Sequence, residues 1–207
     1  MPKLEFFFDC SSPWTYLAFH NIQQMARRTG TDIIWRPILV GGVFNEVNQQ
    51  IYRNRESPVP LKSAYVAKDL QDWANYSGLT INSPPKCGHP VNSVKCMRAC
   101  VALDGTSAMV LFAQAAFEAL WIDGLNIGTS EVIAGLCKKI NIDEDWLLAK
   151  IDTDDVKLRL RTNTDELIRR GGFGSPTIFL NDNDMYFGND RIVLVEHTLL
   201  KGQAPRE

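Results

Sequence analysis

The chain has 207 residues, 45% of them hydrophobic, with 22 basic against 24 acidic side chains and a formal net charge of -2. That length supports a large core, in one elaborated domain or two small ones, and the cancelled charge gives no support to a nucleic-acid or anionic-membrane surface. No apolar run approaches the ~18 residues of a membrane helix, and the stretch from Met1 to Asp9 is too short and too interrupted for a signal peptide, so a cytoplasmic protein is expected.

The first element is a short apolar strand, Leu4 to Phe8. It runs into Asp9-Cys10-Ser11-Ser12-Pro13, where Pro is pre-set for the first helical position and Ser12 can accept from the free N–H groups of the first turn. A helix over Pro13 to Thr29 follows, closing at Gly30, and a second strand over Ile33 to Pro37 completes a right-handed βαβ unit. From about Val43 to Gly172 the pattern is helical. Leu61, Tyr65, Trp73 and Ala74, then Ala113, Ala116, Phe117, Leu120 and Trp121, then Val156, Leu160, Leu167 and Ile168 recur near helical spacing. Stripes of this kind are core. The acidic clusters Asp143 to Asp145 and Asp152 to Asp155 are helix starts and solvated faces.

Next comes Gly172-Phe173-Gly174-Ser175-Pro176-Thr177-Ile178-Phe179-Leu180, a glycine-rich turn leading through Ser-Pro into a β-branched strand, where a cis X-Pro bond is tolerated. Thr177 to Leu180 and Met185 to Phe187 read as a hairpin, and Asn189 is expected to cap a last helix reaching Leu200 to Gly202. An early strand-to-helix turn with a late Pro-led strand is the layout of a thioredoxin-like α/β fold. Residues 1–42 and 173–207 would form that part, split by an inserted helical domain over 43–172.

The chemistry concentrates at residues 9–16. A dithiol oxidoreductase carries Cys-x-x-Cys at the helix start, whereas the corresponding positions are Ser12 and Thr15, so disulfide exchange is lost. The free N–H groups and the positive end of the helix dipole still favour an anion such as a thiolate. Ser12 is therefore expected to hold a sulfur rather than to attack, although Ser-Pro is also an ordinary helix cap. The five cysteines are odd in number and scattered, unlike a disulfide framework. Cys10 is expected as a half-buried turn residue. Cys87, His89, Cys96 and Cys100 could make a tetrahedral zinc set, but paired Cys-x-x-Cys knuckles are missing, so buried thiols with a loop histidine are expected and no metal. Asn181 to Asp190 is rich in Asn and Asp but lacks the glycine and terminal Glu of a calcium loop.

Phe8-Asp9-x-x-Ser12-Pro13-x-x-Tyr16-Leu17, Lys62-x-x-Tyr65, Asp69-Leu70-x-x-Trp73-Ala74, Asn92-Ser93, Trp121-x-x-Gly124, Gly174-x-Pro176-Thr177 and Gly188-Asn189-Asp190-Arg191 occur in this order from about residue 4 to about residue 200. The set resembles the 2-hydroxychromene-2-carboxylate isomerases, sister to the kappa-class glutathione transferases. The resemblance implies glutathione as cofactor, a small aromatic keto-acid substrate and a homodimer. It implies Ser12 at the thiolate, Ser175 and Pro176 pairing with the cysteinyl backbone, Lys62 with Asn54 at the glycine carboxylate, Asn189 and Asp190 at the γ-glutamyl end, and Asn92 and Trp14 on the substrate side. His89 is a possible proton shuttle. In such an isomerase glutathione adds reversibly and is returned. A kappa-like transferase or peroxidase, which consumes glutathione, is the competing expectation, and a peptide-binding module on the same fold is a third.

Overall fold

A computed structural model of the chain describes residues 2–203. The strands β1 (Leu4–Phe8), β2 (Ile33–Pro37), β3 (Thr177–Leu180) and β4 (Asp184–Phe187) form one four-stranded mixed sheet in the order β2-β1-β3-β4. β1 pairs parallel with β2 and antiparallel with β3, and β3 pairs antiparallel with β4. All five residues of β1 are buried, as expected of a central strand covered on both faces. Phe6, Phe8, Phe19 and Trp35 pack ring to ring on one face, with Phe19 against Trp35 at 4.9 Å. Phe7 and Phe179 meet edge to face on the other.

Helix α1 (Pro13–Thr29) begins where β1 ends. Ser12 is its N-cap, accepting from the Thr15 N–H, and Gly30 closes it at φ 63°, a left-handed conformation that glycine adopts without a Cβ clash. Both strands of the βαβ unit and the helix between them have the bounds that the sequence predicts. Between β2 and β3 run eight helices, α2 (Val40–Val47), α3 (Gln50–Glu56), α4 (Pro60–Tyr76), α5 (Val94–Ala102), α6 (Ser107–Trp121), α7 (Ser130–Lys139), α8 (Glu144–Lys150) and α9 (Asp154–Arg169); α10 (Ile192–Gln203) is the last element among the described residues. The expected boundary between residues 42 and 43 falls inside α2, and the outer ends of the expected thioredoxin-like part, residue 1 and residues 204–207, lie outside the described residues. One buried apolar cluster runs from Leu4 and Phe6 of the sheet through Phe112 and Phe117 of α6 to Leu160 of α9.

The last helix starts differently from the expectation. Asn189 opens a 3-10 turn, Asn189–Arg191, and its side chain caps nothing; its Oδ1 accepts from Asn21 Nδ2 at 2.9 Å instead. Tertiary pairing with α1 has taken the side chain that sequence spacing offered to the local helix.

On the central strand β1, Glu5 is fully buried and takes Arg36 at 2.8 Å, Arg170 at 2.7 Å and Lys3 at 3.2 Å. Burial pushes its carboxyl up, but the hydrogen bonds from Arg170, Arg36 and Lys3 together outweigh burial and leave it below the usual value. Arg170 also lies 3.8 Å over the Phe179 ring, so this cluster fastens α9 to β1, β2 and β3.

Candidate active site

The site is organised by Asp9, the residue after β1. Its carboxylate is fully buried and accepts four hydrogen bonds: Oδ1 from the Ser11 N–H (2.9 Å) and hydroxyl (2.8 Å), Oδ2 from the Val40 N–H (2.9 Å) and the Ser93 hydroxyl (2.9 Å). One side chain thereby fixes the turn before α1, the first N–H of α2 and the start of α5. Burial pushes the Asp9 carboxyl above its usual value, and the four donors offset this only in part.

This network separates the two adjacent serines. Ser11 is buried with its hydroxyl committed to Asp9. Ser12 uses its oxygen as acceptor for the Thr15 N–H at 3.2 Å, and its hydroxyl hydrogen has only a long 3.5 Å contact to the Ser175 carbonyl. A hydroxyl at a helix N-terminus with a donor to spare can stabilise an anion placed there. Ser175 faces it from the strand side, in a cis peptide with Pro176. The Ser175 hydroxyl shares a hydrogen with Thr15 Oγ1 at 2.8 Å and accepts from the Asp9 N–H at 3.1 Å, so the two positions of a dithiol motif are here filled by hydroxyls tied to the cis-Pro loop.

Ser12 and Ser175 stand at a cavity of about 720 Å³, within the usual range of small-molecule sites. Its walls are largely apolar, from Trp14, Leu39, Phe44, Ile51, Phe173 and Phe187. Arg55 is the one cation among its described lining residues; it lies 5.9 Å over the Phe44 ring and has no carboxylate partner among the described residues. His89 also lines the cavity. Its Nε2 lies 3.0 Å from the Ser11 carbonyl, which can only accept, so Nε2 carries the hydrogen; burial lowers the imidazole's pKa, partly offset by that bond, so neutral His89 keeps Nδ1 as an acceptor.

Of the nine residues assigned from sequence, the cavity brings together Ser12, Trp14, Asn92 and Ser175, with Pro176 behind Ser175. Asn92 uses Oδ1 to accept from the Val94 N–H at 3.0 Å. Asn54 and Lys62 are exposed on α3 and α4 and do not line the cavity; Asn54 accepts from Gln50 and Lys62 has no partner among the described residues. Asn189 and Asp190 also lie outside the cavity lining. Asn189 is 5% exposed and its Nδ2 has no hydrogen-bond partner, while Asp190 is exposed and pairs with Arg191. Arg55 and Asp9 had no assigned role in the sequence. Arg55 sits in a short, locally polar helix with no periodic signal, whereas Asp9 stood next to the serines in the motif itself.

The cysteines also depart from expectation. Cys10 is fully buried, not half-buried, because the turn folds inward onto α5 and α6, where Trp121 Nε1 donates to the Cys10 carbonyl at 3.1 Å. Cys96 and Cys100 share a face of α5, but they gather with Cys10 and not with Cys87 or His89: Cys87 is exposed and His89 is turned to Ser11.

An α1 N-terminus set against a cis-Pro loop, on a mixed sheet interrupted by helices, defines a thioredoxin-type enzyme with hydroxyls in place of both thiols. The family described as DSBA-like thioredoxin domain matches residues 3–200, and the chain belongs to it. Within it, the chain belongs with the 2-hydroxychromene-2-carboxylate isomerases and their kappa-class relatives. It is 30% identical over 203 residues to the 2-hydroxychromene-2-carboxylate isomerase of Pseudomonas sp. (strain C18), covering 98% of this chain and 91% of that one. It is 29% identical over 205 residues to glutathione S-transferase kappa 2 of Caenorhabditis elegans, covering 91% and 88%. A solved structure of a 2-hydroxychromene-2-carboxylate isomerase superposes with a TM-score of 0.81 at 24% identity, covering 97% of this chain and 95% of that one.

Proposed function

We propose that this protein is a glutathione-dependent isomerase of the 2-hydroxychromene-2-carboxylate type, acting on a small aromatic keto-acid. The observation that carries the reading is the unspent Ser12 hydroxyl at the N-terminus of α1, opposite the cis Ser175-Pro176 loop, at the mouth of an apolar cavity holding one cation. Such a mouth suits a thiolate, and such a cavity suits an aromatic acid.

The residues present fit glutathione. Ser175 and Pro176 offer backbone at the cavity edge, and among the described residues Lys62 is a cation without a partner and Asn189 holds a buried Nδ2 without an acceptor, which the α-carboxylate of a γ-glutamyl group would satisfy. Asn54 adds an amide for the glycine carboxylate, and Asp190 adds a carboxylate for the γ-glutamyl amine. When bound, glutathione supplies a thiolate that adds reversibly to the conjugated carbon and leaves after rotation about the former double bond. The chain's own residues do the rest. Ser12 donates to the sulfur and keeps it ionised; Arg55 takes the substrate carboxylate; Trp14 and Phe44 hold the ring and exclude water; neutral His89 can lend Nδ1 to a proton of the substrate's hydroxyl or enol. The first turns of α4 expose Leu61 (86%), Tyr65 and Val66, a face that supports the expected homodimer.

The test is the fate of the thiol. Catalytic glutathione should bring 2-hydroxychromene-2-carboxylate to equilibrium with its open-chain benzylidenepyruvate, followed by ultraviolet absorbance, with free thiol constant. The 29% identity to a kappa-class transferase motivates the second reading, in which each turnover removes one glutathione. Stoichiometric thiol loss would select that reading and overturn the first.

A further inference from the structure

Three sulfurs take no part in the site described above, although they lie directly beneath it. Sγ of Cys10, Cys96 and Cys100 all lie within 4.8 Å of one another, all three residues are 0% exposed, and no disulfide joins them. Cys10 comes from the turn that carries Ser12, and Cys96 and Cys100 from successive turns of α5. Small buried thiols often serve simply as packing. Three converging from separate parts of the chain form a donor set made of sulfur alone.

Geometry limits what that set can hold. Points no more than 4.8 Å apart have a common centre within about 4.8/√3, or about 2.8 Å, of each, and thiolate bonds of ~2.3 Å need only a small inward rotation of the sulfurs. Charge limits it further. Asp9, the residue before Cys10, is itself a fully buried acid. Divalent zinc on three thiolates would leave one net negative charge in the core and monovalent copper two, beside that carboxylate; burying uncompensated charge is among the costliest steps available to a protein. Zinc would also want a fourth ligand, which a closed three-sulfur set lacks. A trivalent centre on three thiolates is neutral.

We propose that Cys10, Cys96 and Cys100 form a three-coordinate site for trivalent arsenic. Arsenite, As(OH)3, is a small neutral molecule at neutral pH, so it can reach a dry interior through local opening of the Cys10 turn. The step is a condensation without redox change: three S–H and three As–OH bonds break, three As–S bonds form, each thiol proton leaves with one hydroxide, and three waters are released.

The experiment uses the full chain, reduced and freed of glutathione, with sodium arsenite as the probe. Intact-mass analysis should show one arsenic per chain with the loss of three hydrogens, and arsenic X-ray absorption should show three sulfur neighbours and no oxygen. Cys87→Ser and Cys137→Ser should leave the adduct intact, and Cys96→Ala or Cys100→Ala should lower affinity at least tenfold. The wild-type mass and absorption data stand even where a core variant folds poorly. An adduct that follows Cys87, two sulfurs with a retained oxygen, no adduct at all, or tighter binding of Cd(II) or Cu(I) than of arsenite under the same conditions would each overturn the proposal. Glutathione isomerase activity does not enter these readouts, so failure here leaves the proposed function standing, and failure of that function leaves this one.

Discussion

Asp9→Ala tests the idea that one buried carboxylate assembles the site. The substitution removes the acceptor of two backbone N–H groups, from Ser11 and Val40, and of two hydroxyls, from Ser11 and Ser93. The hydroxyls can rotate toward other acceptors, but the two N–H groups cannot move far, and each buried donor left unsatisfied costs about 1–3 kcal/mol. Against this, the variant no longer carries an acid whose burial raises its pKa, which returns part of that cost. The two donors together cost at most about 2–6 kcal/mol before that return, so a fall in Tm of several degrees is expected at the ~2–4 °C per kcal/mol of this chain length. Glutathione affinity should fall as well, since α2 and α5 lose their common anchor beside Ser12. Asp9→Asn keeps one acceptor oxygen and should lie between. Calorimetric unfolding and glutathione titration measure both effects. A Tm within about 2 °C of wild type, with unchanged glutathione binding, would refute the reasoning, because four hydrogen bonds to one buried group cannot vanish silently.

Ser12→Ala should lower the isomerisation rate by about 10 to 1000-fold, the scale of one lost anion-stabilising donor, and cost about 1 kcal/mol as a lost N-cap. Ser11→Ala should affect the rate mildly, and equal rate losses for the two would remove Ser12 from the sulfur. Arg55 and Lys62, neither with a carboxylate partner among the described residues, should separate by ligand. Arg55→Ala should raise KM for the aromatic acid about 10 to 100-fold with glutathione Kd unchanged, and Lys62→Ala should weaken glutathione by about 1.5–3 kcal/mol with little change in KM for the acid, on the worth of a hydrogen bond to a charged group. The same effect on both ligands from either variant would merge the two subsites. The pH dependence has a definite sign. His89 and His20 are held below the ordinary 6.5, chiefly by burial, so the unfolded chain binds protons that the folded chain resists, and stability should fall as pH drops through about 6.5. His89→Gln should flatten that part of the denaturation profile, and an unchanged slope would show that His89 titrates normally.

The fold was legible where local signals and tertiary demand coincide. Ser12, Pro13 and Gly30 bracket α1 by cap chemistry alone, and Leu4–Phe8, Ile33–Pro37 and Thr177–Leu180 are apolar runs too short for helices, so their strands follow without knowledge of their partners. Asn189 shows the limit of that reasoning: as a capping residue it was sound local chemistry, but Asn21 on a helix remote in sequence competes for its oxygen and wins. The same limit explains the site. Ser12 and Ser175 could be paired because strand-helix and Pro-strand junctions must meet at one end of such a sheet. Arg55 could not be placed, because an exposed-looking helix of seven residues carries no phase that tells which side faces a cavity. The cysteines make the point most sharply. Cys96 and Cys100 announce a shared face through i,i+4 spacing, but which third sulfur joins them depends on how the turn at Cys10 packs on α5, a contact spanning more than eighty residues that no spacing rule contains. Sequence periodicity thus names the faces of elements, and the chemistry of this protein lies where faces of different elements converge on the buried turn between β1 and α1.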